Sequence, residues 1–145
     1  MKPDLSVSFA ASWEGIPPGM PAGDLGIWLR FRPTIADKFD RVYFNVRVGE
    51  PIPVAEDLSP EIALMAEAVS RRRIDVVLER STAWHLIELK YMAGAESLGQ
   101  ILMYKALWKL DPPDDRLVVP IIVSNVANKD LSLACKVYGV ELLVV

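Results

Sequence analysis

The segment Ile74–Lys90, IDVVLERSTAWHLIELK, predicts a β-hairpin, because two runs rich in β-branched and aromatic residues flank a polar turn over residues 79–83. Three charged residues, Asp75, Glu88 and Lys90, stand inside the strands rather than at the turn. Side chains two apart on a strand share a face, so Glu88 and Lys90 point together. If Asp75 lies opposite Glu88, two carboxylates and an ammonium converge on an apolar sheet. Unpaired buried charges are costly, so this cluster must be solvated, paired internally or occupied by a cation.

The sequence around the hairpin alternates between helix and strand patterns. Ser59-Pro60-Glu61 combines a hydroxyl cap, a proline at the first helical position and an acid, which predicts a helix from there to about residues 71–73. A second helix is predicted over 95–110, a strand over 117–123, a short helix over 128–136 and a last strand over 139–145. Pro120 indicates an edge position or a bulge. This order predicts a mixed sheet with helices packed on it, an α/β domain.

The first part of the chain has a different character. Residues 1–26 are rich in Gly and Pro and predict an irregular arm that packs through Phe9 and Trp13. Alternating residues predict strands over 27–31, ended by Pro33, and over 41–48. We expect these strands to pair as an N-terminal β-hairpin extension over 27–58, before a core over 59–145, with the whole chain 1–145 forming a single domain.

One face of this predicted hairpin interleaves arginines with aromatic residues, a pattern that suits phosphate contacts and base stacking. Its members are Trp28, Arg30, Arg32, Arg41, Tyr43 and Arg47. We therefore take Arg30, Arg32, Arg41 and Arg47 as candidate nucleic-acid-binding residues. The alternative is a solvated outer face, which has the same composition.

Composition limits the classes of function. The 145 residues, 52% hydrophobic, suffice for one domain with a buried core. The net charge of -3 argues against coating of nucleic acid through bulk positive charge but leaves room for a local basic face. A single histidine, His85, excludes multi-histidine metal sites and is predicted to be a surface or turn residue. A single cysteine, Cys135, excludes an internal disulfide and is predicted to be a core thiol.

The chain contains no long apolar run and no signal-peptide pattern at its start. We therefore expect no membrane association and a soluble protein in the cytoplasm, or in the host cytoplasm or virion if its origin is viral.

The charged hairpin fits metal-assisted phosphodiester hydrolysis. Two carboxylates with a main-chain carbonyl between them are hard oxygen ligands of the kind that hold Mg²⁺. A lysine beside such an ion can position or deprotonate the attacking water, or stabilise charge that develops on a phosphate. No other set of residues in the sequence offers a comparable convergence.

The order of these residues resembles a known signature. Asp75, twelve intervening residues and then Glu88-Leu89-Lys90 look like the motif of the PD-(D/E)XK nuclease superfamily. Gln100 and Tyr104, four apart on the following helix, are similar to the Gln-x-x-x-Tyr motif of its RecB-like branch. The resemblance covers residues 59–125, with Ile74 in the place of the proline in the superfamily's name. It implies a restriction-endonuclease-like fold, a mixed β-sheet core flanked by helices.

The resemblance also implies an activity, that of a nuclease dependent on Mg²⁺ or Mn²⁺ that hydrolyses the phosphodiester bonds of DNA, with RNA as an alternative substrate. Asp75, Glu88 and the Leu89 carbonyl would be metal ligands, and Lys90 the catalytic lysine. Gln100 and Tyr104 would orient this lysine or contact the DNA backbone. The superfamily often adds an acid from a preceding helix, for which Glu67 is our candidate and Glu61 the fallback.

Several alternatives stay open at the level of the sequence. The hairpin charges form a solvated salt-bridge cluster, Gln100 and Tyr104 are ordinary helix-surface residues, or Glu67 pairs with Arg71 four residues on. The last strand either completes the core or pairs as an edge with another copy of the chain. In function, the alternatives are a nuclease-fold structural or docking component of a nucleic-acid-processing or viral assembly, catalytically silent, and a nuclease subunit that depends on a protein partner.

Overall fold

The computed structural model describes residues 1–145, which form one six-stranded mixed sheet with helices on both faces. The strands are β1 (Phe9–Ala10), β2 (Arg41–Val48), β3 (Arg72–Arg80), β4 (Ala83–Ala93), β5 (Leu117–Ala127) and β6 (Glu141–Val144). The helices are α1 (Ala22–Phe31), α2 (Pro60–Ser70), α3 (Ala95–Leu110) and α4 (Lys129–Tyr138). The strands lie in chain order, antiparallel from β1 to β4 and parallel from β4 to β6. The predicted fold class is confirmed.

Local capping signals located the helices after residue 58 correctly. The Ser59 hydroxyl accepts a hydrogen bond from the Ile62 N–H at 3.4 Å, and the Asn128 side chain caps α4 in the same way through the Leu131 N–H at 2.8 Å. Helix α4 ends at Gly139, whose φ of 68° lies in the left-handed region that glycine adopts without strain. Both helices thus begin where a side chain satisfies a free backbone N–H, and α4 ends where the Gly139 N–H donates to the carbonyls of Cys135 and Lys136.

The predicted strand over 27–31 is wrong, because these residues form the second half of α1. Ile27, Trp28 and Phe31 are buried and lie on one helical face, whereas Leu29 and Arg30 are exposed. Five residues of which only Arg30 is polar fit a short strand and a buried helical turn equally well, so periodicity alone did not distinguish the two.

Consequently the N-terminal β-hairpin extension does not form. Strand β2 pairs with β1 on one side and with β3 on the other. Residues 1–26, predicted to be an irregular arm, contain β1 and the start of α1. The arm does pack as expected, since the rings of Phe9 and Trp13 lie 5.8 and 6.0 Å from that of Phe44 on β2.

Two apolar clusters divide the molecule into three layers. Helix α1 covers one face of the sheet through Ile27, Trp28 and Phe31. Helices α3 and α4 cover the opposite face, with Trp108 from α3 and Cys135 from α4. Cys135 is 1% exposed, so the predicted core thiol is confirmed. Helix α2 lies outside these layers and buries none of its side chains.

Strands β2 and β3 change face together at one point. The Phe44–Val76 pair packs in the α1 layer, whereas the Val46–Ile74 pair, two residues along each strand, packs in the α3 layer. The residues between these pairs are Asn45, whose φ is 54°, and Asp75. The regular alternation predicted for residues 41–48 is therefore wrong beyond Phe44, and the change of face coincides with Asp75.

Pro120 has no backbone N–H to donate, and it lies where one of its two neighbouring strands is not yet paired. It pairs in parallel with Leu86 of β4, but the pairing of β5 with β6 begins one residue later, at Ile121. At Pro120, β5 is therefore an edge strand on its β6 side, as predicted, although β5 as a whole is an inner strand of the sheet. None of the helices combines the length and hydropathy required to cross a bilayer.

Candidate active site

The candidate site lies where two neighbouring strands separate. Strand β3 stays paired with β2 as far as Arg72, and β4 stays paired with β5 as far as Ala93. Between β3 and β4 themselves, the last pair on this side is Val76–Ile87. The next residue of each strand is Asp75 and Glu88, so both carboxylates stand at the narrow end of a wedge between the two strands.

A side chain replaces the backbone ladder at this point. The Leu89 N–H donates a hydrogen bond to the Asp75 Oδ2 at 2.9 Å. In an antiparallel pair the N–H and C=O of one residue point to the same neighbouring strand. The Leu89 carbonyl therefore also faces the wedge, on the same side as the Asp75 carboxylate.

The two carboxylates lie side by side, and neither forms an ion pair. Glu88 is 5% exposed and Asp75 is half-buried. Burial raises the pKa of both groups, and the neighbouring charge of Asp75 raises that of Glu88 further. Neither residue belongs to any of the ion pairs of the protein, and the Glu88 Oε2 is buried without a hydrogen-bond partner. The geometry therefore contradicts the alternative of a solvated salt-bridge cluster.

Lys90 and a further acid, Asp24, lie close to this pair. Lys90 is half-buried, and its charge opposes the rise in the pKa of Glu88. Asp24, in the first turn of α1, is half-buried, and burial raises its pKa while Lys90 and Arg73 oppose that rise. The Asp24 charge in turn contributes to the raised pKa of Asp75 and Glu88. The site thus combines three acids and one lysine.

Asp24 was missed from the sequence because its helix was missed. Ile27, Trp28 and Phe31 follow it at positions three, four and seven residues on, the spacing of one helical face. Read as a helix, this segment would have placed an acid in the first turn and close to the sheet.

Helix α3 places Tyr104 near the two carboxylates. Tyr104 is 7% exposed, and its pKa is raised to about 12 by burial first and then by the charges of Glu88 and Asp75. It is therefore not an ordinary surface residue, and it lies within electrostatic reach of both carboxylates. Gln100, one turn earlier, is half-buried, and its Oε1 is buried without a hydrogen-bond partner.

The predicted acids of α2 are not brought to the site. Glu67 lines a shallow surface depression with Met1, Pro51 and Arg71, and Glu61 is exposed. The reason is the position of α2 outside the layers of the fold. The alternative Glu67–Arg71 ion pair does not form either, because the Arg71 guanidinium donates to the carbonyls of Gly49 at 2.6 Å and Lys2 at 2.7 Å.

The four arginines predicted to bind nucleic acid do not share a face. Each donates to the protein itself: Arg30 to Asn125, Arg32 to the Glu14 carbonyl, Arg41 to Ser8, and Arg47 to the carbonyls of Val69 and Arg71. The aromatic residues of the predicted face, Trp28 and Tyr43, are buried. The face was a consequence of the strand predicted over 27–31 and is absent with it.

His85 lies on β4 rather than in a turn or on the open surface. It is half-buried, and its ring meets that of Phe39 edge-on at 4.8 Å. It stands before Ile87 on the strand, in the part where β3 and β4 are still paired, so it takes no part in the wedge.

The donor set at the wedge fits a hard divalent cation. No three Asp, Glu, His or Cys side chains converge closely enough to hold a metal ion by themselves. The ligands available are the Asp75 and Glu88 carboxylates and the Leu89 carbonyl, all oxygen donors. The buried Glu88 Oε2 without a partner is an acceptor that a cation would satisfy.

Comparison with solved structures supports the same fold. The chain is similar to a crystal structure of a repair endonuclease from Pyrococcus abyssi, with a TM-score of 0.53 and 13% identity over 91% of this chain and 49% of the other. It is also similar to a crystal structure of a protein of unknown function, with a TM-score of 0.51 and 18% identity over 83% of this chain and 56% of the other. The chain thus spans about half the length of these structures.

At these identities the likeness is one of fold. No family model and no curated protein matches the sequence. The molecule is an α/β domain with an endonuclease-like fold, and the chemistry of its site is argued from its own residues.

Proposed function

We propose that this protein is a metal-dependent nuclease that hydrolyses phosphodiester bonds of DNA. The observation that carries the proposal is the Asp75–Glu88 pair, in which Glu88 is buried and Asp75 half-buried, neither acid forms an ion pair, and the Glu88 Oε2 has no hydrogen-bond partner. Two adjacent buried carboxylates cannot both ionise at low cost unless a cation neutralises them. The endonuclease-like fold and the position of the pair at an open wedge support the same conclusion.

In this proposal Asp75, Glu88 and the Leu89 carbonyl would hold Mg²⁺ or Mn²⁺. When bound, such an ion polarises the phosphate and lowers the pKa of water. The Leu89 N–H fixes the orientation of the Asp75 carboxylate, so the ligand is positioned before the ion arrives. Asp24 adds negative charge at the start of α1 and strengthens the attraction for a cation.

Lys90 would act directly on the reacting groups. It lies two residues from Glu88 on the same strand face, and its half-buried ammonium has three protons to donate. It can therefore hold the attacking water or donate to a phosphate oxygen as negative charge develops there.

The two α3 residues would support Lys90 and the substrate. The raised pKa of Tyr104 keeps its hydroxyl protonated at neutral pH, so it can donate a hydrogen bond. The free Oε1 of Gln100 can accept one from the Lys90 ammonium. Both are positioning residues in this account.

A second candidate function is a nuclease-fold docking component that no longer cuts. The observation that favours it is the apolar side of α2, where Ile62, Met65 and Val69 are 55%, 68% and 63% exposed. A protein partner would cover such a surface. Under this candidate the function would be indifferent to Glu88→Gln, which separates it from the nuclease.

The nuclease proposal predicts that purified protein cleaves DNA only with Mg²⁺ or Mn²⁺ and that EDTA stops the reaction. Lys90→Ala should lower the rate by about 100-fold or more, the usual contribution of a positioned proton donor or acceptor. Lys136→Ala, which removes an exposed lysine of α4, is the matched control and should keep the wild-type rate. Absence of cleavage of single-stranded, duplex and branched DNA, or equal rates for the two lysine variants, would contradict the proposal.

A further inference from the structure

Two arginines of the chain have no partner in the protein. Every other arginine donates at least one hydrogen bond from its side chain: Arg30, Arg32, Arg41, Arg47, Arg71, Arg80 and Arg116. Arg72 and Arg73 donate none, form no ion pair and are exposed. With a net charge of -3, the protein has more acidic than basic residues. Two neighbouring arginines that both lack an acidic partner are therefore unexpected.

Both arginines lie at the wedge. They begin β3, three and two residues before Asp75, on the stretch that β4 has left. The pKa of Asp75 is raised by burial, and the Arg73 charge opposes that rise. Burial likewise raises the pKa of Tyr104, and both arginines oppose it. The two guanidiniums are therefore within electrostatic reach of the proposed catalytic groups.

The two side chains leave the strand on opposite faces of the sheet. Arg72 alternates with Arg73 and shares the face of Ile74, which packs in the α3 layer. Arg73 points to the α1 side, which agrees with its effect on Asp24 in the first turn of α1. One guanidinium thus stands on each side of the sheet edge that carries Asp75.

The neighbouring arginines increase the positive potential at this edge. Arg47 lies opposite Arg73 in register, and Arg71 precedes the pair. The pKa of Arg47 is lowered by burial first and then by the charges of Arg73 and Arg71, which shows that these like charges repel each other. Since the guanidiniums of Arg47 and Arg71 are held by backbone carbonyls, Arg72 and Arg73 are the ones that can bind an anion.

We propose that Arg72 and Arg73 bind backbone phosphates of the nucleic-acid substrate, one on each face of the sheet, and so lay the strand across the Asp75–Glu88 pair. The guanidinium fork matches phosphate oxygens in a bidentate geometry. Contacts of this kind position a strand without reading its sequence, so the binding is sequence-independent. The proposal rests on the proposed nuclease function and assigns the arginines to substrate binding, not to the chemical step.

The test is the salt dependence of DNA binding. Fluorescence anisotropy of labelled single-stranded and duplex oligonucleotides measures it, first in EDTA and then in Ca²⁺. Each phosphate contact adds about 0.7 for single strands, or about 0.9 for duplex, to the slope of log K against log salt. We expect Arg72→Gln and Arg73→Gln each to lower the slope by that amount, and the double variant by about twice as much. Arg80→Gln, at the other end of the same strand, removes the same charge and should leave the slope unchanged.

The outcomes separate this proposal from the nuclease itself. If the wild type binds DNA through both arginines but neither binds Mn²⁺ nor cuts, the arginine contacts stand and the nuclease proposal falls. If the wild type cuts DNA and the double variant keeps the wild-type slope and KM, the nuclease stands and the arginine contacts fall. A wild type that binds neither DNA form, or an equal effect of Arg80→Gln, also overturns the arginine contacts.

Discussion

The unfavourable burial of one charged residue, Glu88, links the stability of this protein to its proposed activity. Its carboxylate is buried beside Asp75, so ionisation in the folded protein is disfavoured compared with the unfolded chain. Between the ordinary carboxyl pKa of about 4 and the raised value, the native state holds more protons than the unfolded state. The free energy of unfolding of the metal-free protein therefore falls as the pH rises through that window.

This sign predicts an unusual stabilising substitution. In EDTA at pH 8, Glu88→Gln should raise the free energy of unfolding by about 1 to 3 kcal/mol, because the unfolded chain gains free energy when it ionises a carboxyl group and gains none from a neutral amide. The difference should vanish near pH 4, where the carboxyl group is protonated in both states. Thermal unfolding across pH 4 to 9 measures it, with the exposed Glu141→Gln as control. If Glu88→Gln is less stable than the wild type, and the loss is the same at pH 8 and at pH 4, burial of the Glu88 charge does not limit the stability of the protein.

At the scale of single residues, the sequence singled out most of the residues that lie together at the candidate site but not all of them. The sequence left open whether Asp75 lies opposite Glu88, and the register brings the two residues to the same point where the strands part. Asp24 is far away in the sequence, and its proximity follows from the packing of α1 on the sheet. The sequence also could not predict that Arg72 and Arg73 lack hydrogen-bond and ion-pair partners, because this depends on which partners the other arginines find.

At the scale of elements, the site depends on how β4 pairs after Ile87: it separates from β3 but stays paired with β5. Ser124 of β5 is fully buried, and its Oγ accepts hydrogen bonds from the N–H groups of Ala93 and Val126, each at 3.2 Å. It donates to the Val126 carbonyl at 2.6 Å. This hydroxyl holds the last residues of β4 against β5, and it thereby keeps the wedge open.

Removal of this hydroxyl should loosen the end of β4. Ser124→Ala leaves buried backbone N–H groups without an acceptor, at a cost of about 1 to 3 kcal/mol. We expect the melting temperature to fall by about 2 to 8 °C. Calorimetry measures the shift, with Ser81→Ala in the exposed β3–β4 turn as the matched control. Equal melting temperatures for the two variants would show that Ser124 does not fasten the strand.

The elements that the sequence predicted well are those with local signals. The cap at Ser59 and the hydrophobic spacing of α3 are properties of a few consecutive residues, and α2, α3 and α4 were predicted to within about two residues. Helix α1 lacks a side-chain cap hydrogen bond, and its last five residues contain a single polar side chain, that of Arg30. The change of face at Asn45 and Asp75 has no local signal, since it arises where β3 leaves β4 and remains with β2.

At the scale of the whole molecule, the three layers bring distant segments to one edge of the sheet. Helix α1 supplies Asp24, the hairpin supplies Asp75, Glu88 and Lys90, and α3 supplies Tyr104. The fold class followed from the order of helices and strands, and the solved structures of similar fold agree with it. The acidic net charge does not conflict with the proposed nucleic-acid substrate, because two exposed arginines without a partner, Arg72 and Arg73, lie beside the carboxylates.

Isothermal titration of Mn²⁺ measures whether Asp75 and Glu88 hold a divalent cation. Asp75→Asn is the variant of choice because its amide oxygen can still accept the Leu89 N–H, so the strand geometry is kept. We expect saturable Mn²⁺ binding to the wild type and to Glu141→Gln, and binding to Asp75→Asn that is weaker by about tenfold or more, since even the loss of a residue that only orients a metal ligand costs about 10- to 100-fold in affinity. Equal Mn²⁺ affinity in wild type and Asp75→Asn, or no binding to the wild type, would contradict the proposed metal site.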